Sequence, residues 1–322
     1  MKRTWIGFII FLCGAIVICA ASASYARHYN YGSLHFIGGF GMVSLKNTEE
    51  FAANGIENID ISYSSENIIF LKGEADKIVI KEYLHDGGKD HTRMEVEGNT
   101  LYVKKNERMN DIYFLSFLTG RERIEIYLPE VFGGSVNVTA SSGNITSDPA
   151  WSFKEFYANV KSGNITCKEI EAEKITAETS SGNISFGKAQ GERTLTASSG
   201  NIVVSSGAGD TYASASSGNI TVEGASGNFK ASTHSGNIKA ELISLGETVG
   251  AEVSSGNIRL DIPKNSAFSF EAEASSGVID TDFDEYVFYN KKGNTASGTY
   301  GENVITSIRT RASSGNTEIK FR

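Results

Sequence analysis

The sequence predicts an all-β, single-stranded β-solenoid with coils of about 18–20 residues, and three observations predict it. Turn glycines of a Ser-Gly-Asn-Ile type fall at Gly143, Gly163, Gly182, Gly200, Gly218, Gly236, Gly256, Gly277 and Gly315, at steps of 20, 19, 18, 18, 18, 20, 21 and 38 residues. Around each glycine, alternate residues are apolar, the period of a strand with one buried face. Composition agrees, because 34 glycines stand against only 3 prolines, which favours turn-punctuated β structure over collagen or disorder.

The first element, residues 1–23, reads as a targeting segment. Lys2 and Arg3 precede an uncharged run from Trp5 to Ala23, which as a helix would span ~28 Å, enough to cross a bilayer core. The basic end stays in the cytoplasm, so the remainder is expected outside, on a single-pass cell-membrane anchor. Ala21-Ser22-Ala23 also resembles a cleavage site, so secretion after cleavage is the alternative. Residues 24–46 carry aromatics and glycines without periodicity and read as a tether.

Residues 47–135 read as irregular early coils with insertions, a separate small β domain being the alternative. Ser64-Ser65-Glu66-Asn67-Ile68 is a degenerate copy of the turn, and Met94/Val96 and Leu101/Val103 form a hairpin at Gly98-Asn99. An apolar cluster, Tyr113, Phe114, Leu115, Phe117 and Leu118, interrupts the alternation; it suits a packed cap or a contact with membrane or partner.

Residues 136–322 are the regular Ser-Ser-Gly-Asn-Ile solenoid. Two residues after the glycine come Ile145, Ile165, Ile184, Ile202, Ile220, Ile238, Ile258 and Ile279, and before it come inward triples such as Val136, Val138, Ala140. Stacked at ~4.8 Å per coil, these bury a continuous column that no single repeat could bury alone. The glycine is expected at φ > 0 and the asparagines are expected to form a ladder along the stack. A half-period copy, Ser226-Gly227-Asn228-Phe229, implies a flattened coil with two similar sides, with three short faces where the repeat lengthens. Ser297-Gly298 is read as the coil missing from the 38-residue step.

Chemistry is sparse. The net charge of −8 without a Lys/Arg run disfavours nucleic acid. Cys13 and Cys19 lie in the apolar run, leaving Cys167 alone, so no disulfide forms within the domain. His85 and His91 beside Asp86 and Asp90 are too few and too alike a solvated loop to make a zinc site. The turns lack the aspartate of calcium-binding repeats, and Ser141-Ser142-Gly143 recurs too often to be a nucleophile. No catalytic, cofactor-binding or metal residue is assigned.

The copies from Ser141 to Ile258, with the preceding Ile124-Glu125-Ile126-Tyr127-Leu128-Pro129 and the N-terminal span, resemble the bacterial putative-adhesin β-strand-repeat family of unknown function. The resemblance implies an envelope-associated β-solenoid, with some members in Lia-type stress systems, and no established site. The leading expectation is therefore a non-enzymatic extracytoplasmic scaffold or adhesin-like module that meets cell-wall polymer or envelope proteins. A β-helix carbohydrate-active enzyme and a self-associating filament are the alternatives.

Overall fold

The computed structural model describes residues 43–85, 92–105, 121–283, 287–290 and 292–322. The N-terminal span, His91 with Asp86 and Asp90, and the Tyr113–Leu118 cluster lie outside them. The described residues form strands and no helix, all within one coiled sheet. At the N-terminal end these are β1 (Ser44–Ala52), β2 (Asn58–Tyr63), β3 (Asn67–Lys72), β4 (Lys77–Leu84), β5 (Arg93–Glu97), β6 (Thr100–Lys104) and β7 (Arg123–Leu128). The body holds β8 (Ser135–Ser142), β9 (Ile145–Ser162), β10 (Ile165–Ser181), β11 (Ile184–Ser199), β12 (Ile202–Val204), β13 (Thr211–Ser217), β14 (Ile220–Ala225), β15 (Phe229–Ser235), β16 (Ile238–Leu242), β17 (Thr248–Ser255) and β18 (Ile258–Ile262). The C-terminal end holds β19 (Phe268–Ser276), β20 (Ile279–Thr281), β21 (Val287–Tyr289), β22 (Thr295–Tyr300), β23 (Thr306–Ser314) and β24 (Thr317–Phe321).

Each coil of the body contributes one segment to each of two parallel walls. The first wall follows the Gly-Asn corner and aligns Ile145, Ile165, Ile184, Ile202, Ile220, Ile238 and Ile258 in register. All are buried, and burial of each is worth ~1.5–3 kcal/mol before chain entropy is counted. The second wall precedes the corner and aligns the inward triples, such as Val136, Val138, Ala140 on Phe156, Ala158, Val160. A short third ladder, Trp151–Ile170–Ala189, appears only in the coils of β9, β10 and β11. The half-period copy sits at the far corner, where Phe229 opens the second wall.

The corner explains the repeat. Each asparagine side chain accepts a hydrogen bond from the backbone N–H of the next asparagine, running Asn67, Asn144, Asn164, Asn183, Asn201, Asn219, Asn237, Asn257, Asn316 and ending on the N–H of Val278, at 2.8–2.9 Å per step. Gly218 has φ 151°. A Cβ there would also fall well inside contact distance of the Gly200 carbonyl below it. Conformation and close approach together therefore demand glycine.

Stack order departs from chain order at both ends. At the C terminus, β23 and β24 insert between the β17/β18 coil and the β19/β20 coil, so the order of corners is Gly256, Gly315, Gly277. Ser297-Gly298 is consequently no coil corner: it lies in β22, antiparallel to β19, with Gly298 opposite Phe270. Val278 gives the reason. Its side chain has no oxygen to accept from the N–H of a further coil, so the unit that carries it closes the ladder. At the N terminus the β2/β3 coil is likewise enclosed, between β6/β7 and β8/β9.

Antiparallel strands finish most wall ends. β4 pairs with β7 and β1 with β4; β5 pairs with β6; β22 pairs with β19 and β21 with β22. β1 begins at Ser44, inside the stretch read as tether. Phe268, Phe270, Phe283, Tyr300 and Phe321 seal the C-terminal end of the core, with neighbouring ring centroids 5.1–6.5 Å apart.

Two outcomes check this architecture. Gly218→Val should destabilise by more than ~3 kcal/mol in denaturant melts, whereas Ser217→Ala, whose side chain faces solvent, should cost less than ~1 kcal/mol. Paired cysteines at Ser255 and Ser314 should oxidise to a disulfide, because those residues are register neighbours, while a pair at Ser255 and Ser276, two coils apart at ~9–10 Å, should not. The reverse result would restore chain order.

Candidate functional site

Among the described residues, two places gather chemical groups. The first is a buried polar cluster at the N-terminal end. The β2-to-β3 turn supplies Glu66 and β6 runs out into Lys105, and their side chains, 3% and 2% exposed, form an ion pair. Glu122 lies 3.9 Å from Lys105 Nζ. Burial alone would raise the Glu66 carboxyl, but the Lys105 charge and hydrogen bond outweigh it and hold Glu66 below the usual carboxylate range.

Beside this pair, Tyr63 donates to Glu82 at 3.2 Å and lies 2.9 Å from the Thr92 hydroxyl, which also bonds Glu82. Asn47 of β1 donates to the other Glu82 oxygen at 3.2 Å. Burial, reinforced by the Glu82 charge, raises the Tyr63 phenol above its ordinary value. His85 does not sit in a solvated loop. It is buried at the end of β4, where its backbone N–H donates to Glu122 at 3.0 Å. These acids neighbour in space because β4 and β6/β7 are brought beside the β2/β3 coil. Their separation in sequence hid them. These contacts are internal, so the cluster is a clasp that ties the end strands to the first coil.

The second place is the outer side of the second wall. One outward row runs across successive coils through Tyr102, Asp60, Asn137, Tyr157, Thr176, Thr194 and Tyr212. A groove of about 220 Å³ opens there, lined among others by Asn58, Asp60, Thr100, Asn137, Glu155 and Tyr157. The Tyr157 hydroxyl donates to Glu178 at 3.3 Å and accepts from Asn159 at 3.2 Å, while Lys104 Nζ sits 4.2 Å from the centre of the Tyr102 ring. The period-two signal placed these tyrosines outward, but their alignment required the register.

Two isolated groups complete the inventory. Cys167 is buried on the Ile-bearing wall, and burial pushes its thiol up to about 12, so it packs as an apolar side chain. Arg193 occupies an inward position of the second wall and is fully buried. It donates to the carbonyls of Ala189, Ala208 (3.2 Å) and Gly209 (3.0 Å) and to the Thr211 hydroxyl at 2.7 and 3.1 Å. Burial lowers its guanidinium to about 10, still charged near neutrality. Arg193 thus staples the far corner of two coils.

With the fold in view, a family model described as Toastrack DUF4097 matches residues 56–320. The chain belongs to that family. Among solved structures, a putative adhesin from Parabacteroides distasonis is 14% identical, covering 88% of this chain and 98% of its own, with a TM-score of 0.46. A putative adhesin from Bacteroides fragilis is 14% identical over 86% of this chain and 96% of its own, with a TM-score of 0.43. A putative lipid binding protein from Parabacteroides distasonis is also 14% identical over 86% and 98%, with a TM-score of 0.31. At these scores the likenesses carry no argument about what this Toastrack chain binds. No curated protein matches it.

The buried pair yields a pH-dependent expectation. Because the folded Glu66 carboxyl is lowered, its contribution to stability is complete above the unfolded value of ~4.3 and is lost as pH falls through the folded value. Lys105→Met leaves Glu66 buried without its counter-charge and should cost ~3–5 kcal/mol at pH 7. In melts repeated down to pH 4, the gap to the parent protein should narrow as Glu66 takes up a proton.

Proposed function

We propose that this Toastrack chain is a non-enzymatic scaffold or adhesin-like binding module of the cell envelope. In this reading residues 1–23 hold it on the cytoplasmic membrane and the solenoid stands outside. One observation carries it: the chemistry of the repeated motif is used by the stack itself. Each asparagine oxygen of the corner serves the next coil, and each glycine makes room for a carbonyl. What remains outward is a rigid wall of Ser, Thr and Tyr with scattered charge, suited to contact rather than turnover. The antiparallel strands at the wall ends oppose end-to-end growth, and β1 and β5 carry charges such as Glu49, Glu50, Arg93 and Glu95, which disfavours the filament alternative. Service in an envelope-stress system fits the same placement.

The test has two parts. An epitope at the C terminus should be removed by protease added to intact cells, and protection would overturn the outside orientation. The full chain should be retained by purified wall fractions or envelope proteins without changing them; product formation from wall polysaccharide would favour an enzyme instead.

A further inference from the structure

The outward row of the second wall repeats an aromatic ring on every third coil. Tyr102 and Tyr157 are separated by Asp60 and Asn137, and Tyr157 and Tyr212 by Thr176 and Thr194. At ~4.8 Å per coil the rings stand ~14 Å apart, the reach of a trisaccharide. Between the first two rings an acid and an amide lie side by side, a combination that accepts from and donates to neighbouring hydroxyls. The Asn137 amide oxygen is buried with no donor from the protein, at the groove that Tyr157 borders.

Charge narrows the ligand. Between Tyr102 and Tyr212 the one charge in the row is Asp60, which has Lys104 at 3.9 Å; Glu95 and Lys230 lie beyond the outer rings. The charges beside the row are of mixed sign, Lys104, Glu155, Lys174 and Glu178, so an ionic polymer would find no run of opposite charge there. An uncharged polyol would find aromatic faces for its C–H surfaces and hydroxyl and amide groups for its oxygens. Lys104 lies over one face of the Tyr102 ring, and the Tyr157 hydroxyl is held by Glu178 and Asn159 before any ligand arrives. That lowers the ordering cost of binding.

We propose that this row is a docking track for an uncharged, extended glycan chain lying along the solenoid axis. Tyr102, Tyr157 and Tyr212 are its platforms, and Asp60 and Asn137 its hydroxyl partners. The proposal rests on the binding-module reading above and adds the chemical class of the ligand. Each ring contributes modestly, and a chain long enough to engage several gains by effective concentration.

The experiment titrates the full chain with cellohexaose and, separately, chitohexaose, following heat and tyrosine fluorescence. At least one hexasaccharide should bind saturably, and a preference between them separates a plain glucan from an N-acetylated wall-type strand. Tyr157→Ala should weaken binding about tenfold or more, a difference of ~1.4 kcal/mol or more, and Tyr157→Phe should stay within about threefold. Tyr212→Ala, at a 39% exposed position that folding does not depend on, should also weaken it and guards against a Tyr157 variant that fails to fold. Absence of binding by both hexasaccharides overturns the track, as does unchanged affinity in both alanine variants. If wall fractions still retain the chain in either case, the broader reading survives and only the track is lost. Retention by neither wall material nor sugar defeats both. Binding to polyglycerol phosphate with no hexasaccharide binding replaces the neutral glycan with an anionic polymer and also overturns the track.

Discussion

Everything in this molecule depends on the distance at which one coil's backbone can approach the next at the Gly-Asn corner. The glycine Cα rests against the carbonyl below it, and only that approach lets each asparagine oxygen reach the next backbone N–H at 2.8–2.9 Å. Once the corner is fixed, the isoleucine two residues on is held in the inward register. A one-residue slip would turn the whole column to solvent. The apolar column supplies most of the stabilising area, but the corner decides where that area goes.

The same constraint governs what the interior tolerates. Arg193 lies among apolar and small side chains, yet its N–H groups find carbonyls and a hydroxyl at the far corner, where glycines again bring coils close. A buried arginine is costly unless its donors are met, and the corner meets them. Thr310 and Thr317, inward residues of the coil formed by β23 and β24, have hydroxyls without a partner. The inserted coil is therefore less completely satisfied than the regular coils around it.

The body of the fold was legible in the sequence because its determinants are local. The isoleucine columns, the positive-φ glycines and the asparagine ladder all follow from a motif read within a few residues, and the structure places them as read except at Gly277, which does not take a positive φ. The ends were not legible. Neither the degenerate copy at Glu66 nor the Gly315 copy carries a local sign that its coil is enclosed, because stacking order is set by neighbours distant in sequence. Only Val278, where the other regular copies have asparagine, marks the unit that closes the ladder. The buried cluster of Glu66, Glu82, Lys105 and Glu122 was hidden for a related reason: its members come from four strands or strand ends whose neighbours are set by the stack. His85 read as a loop residue because nothing near it in sequence reveals that β4 folds back on β7. The tyrosine row occupied the middle ground, outward by periodicity but aligned only once the register was known.

The enclosed coils have a mechanical meaning. A solenoid whose last unit lies on the outside can be peeled from that end, one ladder at a time. Here β24 lies between β18 and β20, and β2 lies between β6 and β8. A pull on the C-terminal strand must shear two parallel ladders at once. On the other side, tension entering through β1 meets its antiparallel pairing with β4 before it reaches an equally clamped coil. A chain tethered at one end and gripping a surface with its wall would carry load through the segments least able to unzip, and the regular middle would be spared.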